Sequence, residues 1–189
     1  MGSGERSSVL KSPGRCGLRN RLVVRSNAAA MSELHQIYLS IGSNIEPEIN
    51  IPKAVQMLRE YGQVQGISSI WESEAVGSDG PNFLNLCVLF LNPLQPVELK
   101  EQVIRQIESK LGRVRHADKN APRTIDLDIV LFDRQPLNVD FWKYAFVIVP
   151  LAELIPDFQH PIRGEKLSRV SEQLQNQVWI VPRSDVAIS

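Results

Sequence analysis

Asp126 and Asp128 stand two apart in Ile125-Asp126-Leu127-Asp128-Ile129-Val130-Leu131-Phe132, a segment whose other members are all apolar. In an extended strand alternate residues share a face, so both carboxylates point the same way. Side by side they repel each other, and an apolar strand solvates neither. A cation or hydrogen-bond donors must compensate, and a hard oxygen-ligand site for magnesium is the natural solution. The competing reading is an exposed strand face paired with nearby Lys or Arg, since Asp-x-Asp is short and recurs by chance.

The residues just upstream bear on that choice. Arg113, Arg115, His116, Lys119 and Arg123 place four fixed cations and a histidine within eleven residues, running straight into the Asp pair. Cations alone would suggest a solvated basic turn. Cations leading into paired carboxylates suggest a metal-bound polyphosphate, because phosphoryl transfer needs Mg²⁺ to bridge phosphate oxygens and Arg or Lys to absorb the remaining negative charge. Neither G-x-x-x-x-G-K-[ST] nor G-x-G-x-x-G occurs, so side chains and metal must hold the phosphates. Ile41-Gly42-Ser43-Asn44 offers backbone free to approach a ligand and an amide at a strand end, although such a segment is as readily just a turn.

These residues need elements to position them. Gln36–Ile41 is short, rich in β-formers and stopped by Gly42, which reads as a buried strand. A helix follows, with Asn50 as N-cap, Pro52 in its first turn, and Ile51, Ala54, Val55 and Leu58 on one face until Gly62. A β-rich stretch lies within Val64–Val76, and Gly77 to Pro81 forces a loop. Phe83–Leu91 is too apolar for a surface strand and should be central in a sheet. From Pro96 a second helix buries Leu99, Val103, Ile104, Ile107 and Leu111 and closes at Gly112 as its C′ residue. After the basic connection comes the Asp strand. The order β-α-β-β-α-β predicts an α+β fold of ferredoxin-like type, an antiparallel sheet with both helices on one face. A C-terminal extension adds a helical turn around Leu151–Leu154 and a helix over Leu167–Leu174.

Composition excludes several classes. The chain has 189 residues, 43% of them hydrophobic, with 21 basic against 21 acidic side chains, a balance that suggests neither a nucleic-acid coat nor a membrane-surface protein. No stretch approaches the roughly 18 apolar residues that a membrane span needs. Cys16 and Cys87 give neither a disulfide framework nor a metal-ligand spacing, and Cys87 reads as a small core residue in a reducing compartment. Residues 1–30 carry six basic groups against one acidic, leaving 15 basic and 20 acidic for the rest. That leader is expected to be disordered and to precede one domain over residues 31–189. Its Arg- and Ser-rich start has the composition of an organellar transit peptide, but Met31 restarts the chain just before the first strand. Cytoplasmic location is therefore expected, with an organelle as the alternative.

Together, Ile41-Gly42-Ser43-Asn44, Phe83-Leu84-Asn85, Gly112-Arg113-Val114-Arg115 and Pro122-Arg123-Thr124-Ile125-Asp126-Leu127-Asp128-Ile129 resemble the 6-hydroxymethyl-7,8-dihydropterin pyrophosphokinase family. The likeness runs over roughly residues 36–160 in the right order. It implies transfer of a diphosphate from ATP to the hydroxymethyl group of the reduced pterin, with release of AMP, in folate biosynthesis. Asp126 and Asp128 would ligate two Mg²⁺ ions on the ATP phosphates. Arg113 and Arg123 match arginines serving phosphate binding, transfer and loop movement, with Arg115 and Glu108 also on the ATP side. Phe83 and Phe146 match rings that sandwich the pterin, although core packing is their plainer reading. Asn85 matches the amide that hydrogen-bonds the pterin edge, and an amide in so apolar a strand needs such a partner. Asn44 and Val76 complete the implied pterin contacts. The partners are small molecules only, and a monomer is expected. The basic connection from Arg113 to Thr124 would act as a lid over ATP.

The sequence also departs from the family. Where a Pro-His-x-Asp-Met segment is common, Asn138 replaces the histidine and Phe141 the methionine. Tyr144 replaces an arginine, Asn120 an aromatic of the basic connection, and Ser73–Gly77 lacks a proline pair. His160 lies too far along to be counted as the missing histidine. The alternatives are a non-catalytic pterin- or nucleotide-binding relative and an unrelated Mg²⁺-dependent Asp-x-Asp transferase, though the latter would not explain the arginines and aromatics.

Overall fold

The computed structural model describes Met1 and residues 33–77, 80–114 and 121–188. The expected leader, Met1 apart, lies outside the described residues, as do Arg115, His116, Lys119 and Asn120 of the basic connection.

Three long strands form the middle of one antiparallel sheet. β1 (His35–Ser43) pairs with β4 (Phe83–Asn92) on one side and β5 (Asp126–Phe132) on the other. β2 (Gln63–Ile67) and β3 (Trp71–Ser73) both pair with β4, so the predicted β-rich stretch is two strands. Between them the Ser68 hydroxyl accepts a hydrogen bond from Cys87 N at 2.9 Å, extending the ladder across the break. β6 (Gln135–Pro136) and a short β7 (Ile180–Pro182), unforeseen in the sequence, close the order β6-β5-β1-β4-β3-β7.

Alternation in the central strands makes two different faces. Ile37, Leu39 and Ile41 of β1, with Leu84, Leu86, Val88 and Phe90 of β4, face one core. Helix α1 (Pro47–Tyr61) lies on it with Ile51, Ala54, Val55 and Leu58 buried. This helix starts a turn earlier than expected. Pro47 takes the first turn, and Asn50 sits inside the helix with its amide donating back to Ile45 O at 2.7 Å. The second predicted helix covers the same face as α2 (Pro96–Leu99), a π-helical turn (Lys100–Ile104) and α3 (Arg105–Lys110), burying Leu99, Val103, Ile104 and Ile107. Gly112 ends it at φ 75°, the left-handed C′ conformation that glycine adopts without strain.

The opposite face is where expectation and structure part. A full helix α4 (Ala145–Leu154) packs there, followed by α5 (Leu167–Gln175). Seven of the ten α4 residues are buried, because this helix lies between the sheet and α5 and must be apolar nearly all round. Its Val147-Ile148-Val149-Pro150 run has strand-like composition, so local propensity hid it and tertiary burial prevailed. The layers are therefore helix, sheet, helix. No helix among the described residues is long and apolar enough to cross a membrane.

Candidate active site

The start of α4 leaves one corner of the second face uncovered. Strand register assembles that corner's floor: Gly42 lies opposite Asp126 and Asn85, and Ser40 opposite Asp128 and Cys87. Directly opposed residues share a face, so one row runs Asp126, Gly42, Asn85 and the next Asp128, Ser40, Cys87. A cavity of about 260 Å³ opens over these rows. That is room for one small heterocycle, just below the usual small-molecule range.

Gly42 is what keeps the floor open. A Cβ there would sit 3.1 Å from Asn85 Oδ1 and 3.7 Å from Phe83 Cδ1. Asn85 is buried, and its Nδ2 donates to Ser73 Oγ at 3.0 Å, Phe83 O at 3.3 Å and Trp71 O at 3.4 Å. Among the described residues nothing donates to its Oδ1, which borders the cavity. The amide is thus held by one end and presents an acceptor with the other.

The two carboxylates differ in their company. Asp126 Oδ2 accepts from Arg123 Nη1, and Arg113 Nη2 approaches Oδ1 at 3.6 Å. Arg123 also stands over the Phe83 ring, 5.8 Å from its centroid. The Asp128 carboxylate makes no ion pair or hydrogen bond with a described residue. Burial above all pushes its pKa up to about 6, with the Asp126 and Glu108 charges adding to the rise and Lys100 and Arg123 partly opposing it. An acid in that condition marks a place short of positive charge.

Seven predicted residues line the cavity: Asp126, Asp128, Arg123, Phe83, Asn85, Phe146 and Val76. Arg113 stands just behind them at Asp126. Asn44 is elsewhere. Its Oδ1 accepts from Arg123 N at 2.7 Å, its own N donates to Arg123 O at 3.1 Å, and its Nδ2 donates to Pro81 O at 3.1 Å. It ties the approach to Arg123 against the segment before β4. Glu108 is buried on α3 and its Oε1 accepts from Leu127 N at 3.2 Å, bracing β5 between the two aspartates.

Ser40, Ser73, Glu74, Phe141 and Tyr144 also line the cavity and were not among the expected site residues. Ser40 had a signal, since it is a small polar residue in apolar β1 at the same parity as Gly42. Phe141 and Tyr144 had none beyond their departure from the family. The first belongs to a 3₁₀ turn (Val139–Lys143), and the second precedes α4 and stacks on Phe146 with centroids 5.0 Å apart and planes at 18°.

That turn accounts for Asn138 and His160. Asn138 Oδ1 caps it by accepting from Asp140 N at 2.9 Å. His160 is buried, with Nε2 donating to Trp142 O at 2.7 Å and Nδ1 accepting from Ile162 N and Arg163 N, each at 3.2 Å. Those partners require the neutral imidazole, and burial lowers its pKa. His160 therefore supports the turn that carries Phe141 and does not line the cavity.

Residues 38–156 match the family described as 7,8-dihydro-6-hydroxymethylpterin-pyrophosphokinase. The chain is 35% identical over 154 residues to a 2-amino-4-hydroxy-6-hydroxymethyldihydropteridine pyrophosphokinase of Bacillus subtilis, covering 75% of this chain and 89% of that protein. A protein of the same description from Synechocystis is 33% identical over 161 residues, covering 79% and 82%. A folate synthesis bifunctional protein of Arabidopsis thaliana is 30% identical over 131 residues, 64% of this chain and 27% of that one.

Proposed function

The chain belongs to the 7,8-dihydro-6-hydroxymethylpterin-pyrophosphokinase family, and from that premise we propose that its cavity orients the pterin for transfer of a diphosphate from ATP to the hydroxymethyl group, releasing AMP, in folate biosynthesis. The observation that carries the site assignment is a juxtaposition. One cavity joins the carboxylates of Asp126 and Asp128 to the amide of Asn85 and the rings of Phe83 and Phe146.

The residues present fit a divalent cation, because Asp128 is an acid with no cationic partner among the described residues and a pKa raised to about 6. Asp126 and Asp128 would hold magnesium, two ions in this reading, and bound magnesium supplies charge neutralisation on the polyphosphate. Arg123 and Arg113, gathered at Asp126, are placed to turn onto phosphate oxygens. Asn85 Oδ1 would accept from a ring N–H or exocyclic amine of the pterin, while Phe83 and Phe146 hold its plane. The hydroxymethyl oxygen then attacks the β-phosphorus, the bond to the bridging oxygen of AMP breaks, and the hydroxyl proton passes to solvent. Alignment and charge neutralisation account for the acceleration without a strong base.

With β2 and β3 taken together as one interrupted strand on β4, the strand run β5-β1-β4-β3 with both helices on one face supports a ferredoxin-like reading of residues 35–132. Incubating the chain with ATP, Mg²⁺ and the reduced hydroxymethylpterin should yield AMP. Release of ADP, or no turnover despite pterin binding, would sink the reading.

A further inference from the structure

Beyond residue 156, where the family match ends, the chain returns to the sheet as β7 and sets Arg183 against Glu72 of β3, the neighbour of the cavity-lining Ser73. We propose that Arg183 is a positioning residue for the pterin: through Glu72 and Asn82 it fixes the two strand ends that present Ser73 and Phe83 to the cavity.

The links are short and continuous. β7 pairs with β3 so that Glu72 faces Val181 and Ser73 faces Ile180, and Arg183 N donates to Ile70 O at 2.8 Å. Arg183 Nη1 donates to Glu72 Oε2 at 2.8 Å, while the other carboxylate oxygen of Glu72 accepts from Asn82 Nδ2 at 2.9 Å. Asn82 precedes Phe83, and Phe83 pairs with Ser73 across β3 and β4. Glu72 thus spans the beginning and end of the segment between the two strands. Arg183 is itself held from two further sides, by Asp185 through two contacts of 2.8 Å and by Glu48 at 3.4 Å. A guanidinium with its fork filled has one orientation, and so does the carboxylate it grips.

The consequence is local. Ser73 Oγ accepts the amide hydrogen of Asn85, so a shift of β3 would turn the acceptor that Asn85 offers, and a shift at Asn82 would move the Phe83 ring. Both lie on the pterin side. Asp126, Asp128 and Arg113 are positioned from β5 and the end of α3, and none of them shares a hydrogen bond or ion pair with Arg183; Arg123 meets this side through Asn44, at Pro81, and through the Phe83 ring. Partly exposed ion pairs add little to global stability, so this cluster acts mainly through geometry.

The proposal rests on the pterin reading above, and the test separates the two. Arg183→Met and Glu72→Gln are compared with wild type, with Arg183→Lys, and with Asp157→Asn, which breaks a remote exposed pair with Lys166. The KM for the reduced pterin should rise about 10-fold in Arg183→Met and Glu72→Gln, with the KM for ATP within about twofold of wild type. Arg183→Lys should recover part of the loss, and Asp157→Asn should match wild type. Titration of pterin fluorescence with a non-hydrolysable ATP analogue and Mg²⁺ present should show the same selective weakening. Unchanged pterin constants, or equal losses for pterin and nucleotide alongside a lowered melting temperature, would overturn the positioning role while leaving the activity standing. A wild type that binds no pterin overturns both.

Discussion

Two arginine–carboxylate clusters in this molecule are built from the same chemistry and reach opposite balances. Around Arg183, three acids surround one guanidinium, its pKa is raised by Asp185 and Glu72, and Asp185 is lowered to about 2 chiefly by its bond to Arg183. At the cavity, Arg113 and Arg123 converge on Asp126, while burial and like charge raise the Asp128 pKa to about 6. In the first cluster Arg183 and Asp185 each gain from the other. In the second, one carboxylate is worse off for folding. Under the proposed function the unanswered charge is the one a bound cation would answer, while the answered charges would serve geometry.

The contrast breaks most sharply at Asp128. Asp128→Ala should lower kcat by at least about 10³-fold, since it removes transition-state charge stabilisation. A kinetic assay showing full activity would end the metal role. Arg123→Met should cost about 10²-fold in kcat/KM, with partial recovery in Arg123→Lys, which restores charge without the planar fork.

Stability should move the other way. The raised pKa of Asp128 means the fold gains from its protonation below about pH 4, and that gain is lost as pH rises through about 6. At pH 7 Asp128→Asn should therefore be more stable in the ligand-free state by about 1–2 kcal/mol after solvent screening, read from denaturant unfolding. An inactive variant no more stable than wild type would contradict the uncompensated charge.

The smallest effect separates His160 from this background. Its pKa is lowered by burial, so its contribution is present above the ordinary value of 6.5 and lost as pH falls below it. Asp128 and His160 thus oppose each other in mild acid. Melting temperature measured against pH should fall more steeply below about 6.5 in Asp128→Asn than in wild type. Parallel curves would assign the acid response to other groups.

The central strands were legible because they are buried on both faces and their apolar runs leave little choice. The Asp pair was legible for the same reason, as two charges stand out in an apolar segment. The helix at Ala145–Leu154 was not, because β-branched residues and Pro150 disguise a segment whose state is decided by burial against the sheet and α5. β7 was hidden too, since three residues carry no periodicity and pair only because β3 offers an open edge.

The same division holds at the cavity. Residue types and spacing in the sequence alone determined that residues 113–128 bring cations to paired carboxylates and that Asn85 needs a partner, since covalent order and strand parity impose both. Only the tertiary structure decided which carboxylate the arginines answer, that Asn44 braces backbone, and that Ser40, Phe141 and Tyr144 share the cavity. Those outcomes depend on strand register and on how α4 crosses the sheet, which bring together residues up to about a hundred positions apart. Asp126 and Asp128 have the same chemistry and nearly the same address in the chain. What separates them is their surroundings, and surroundings are a property of the fold.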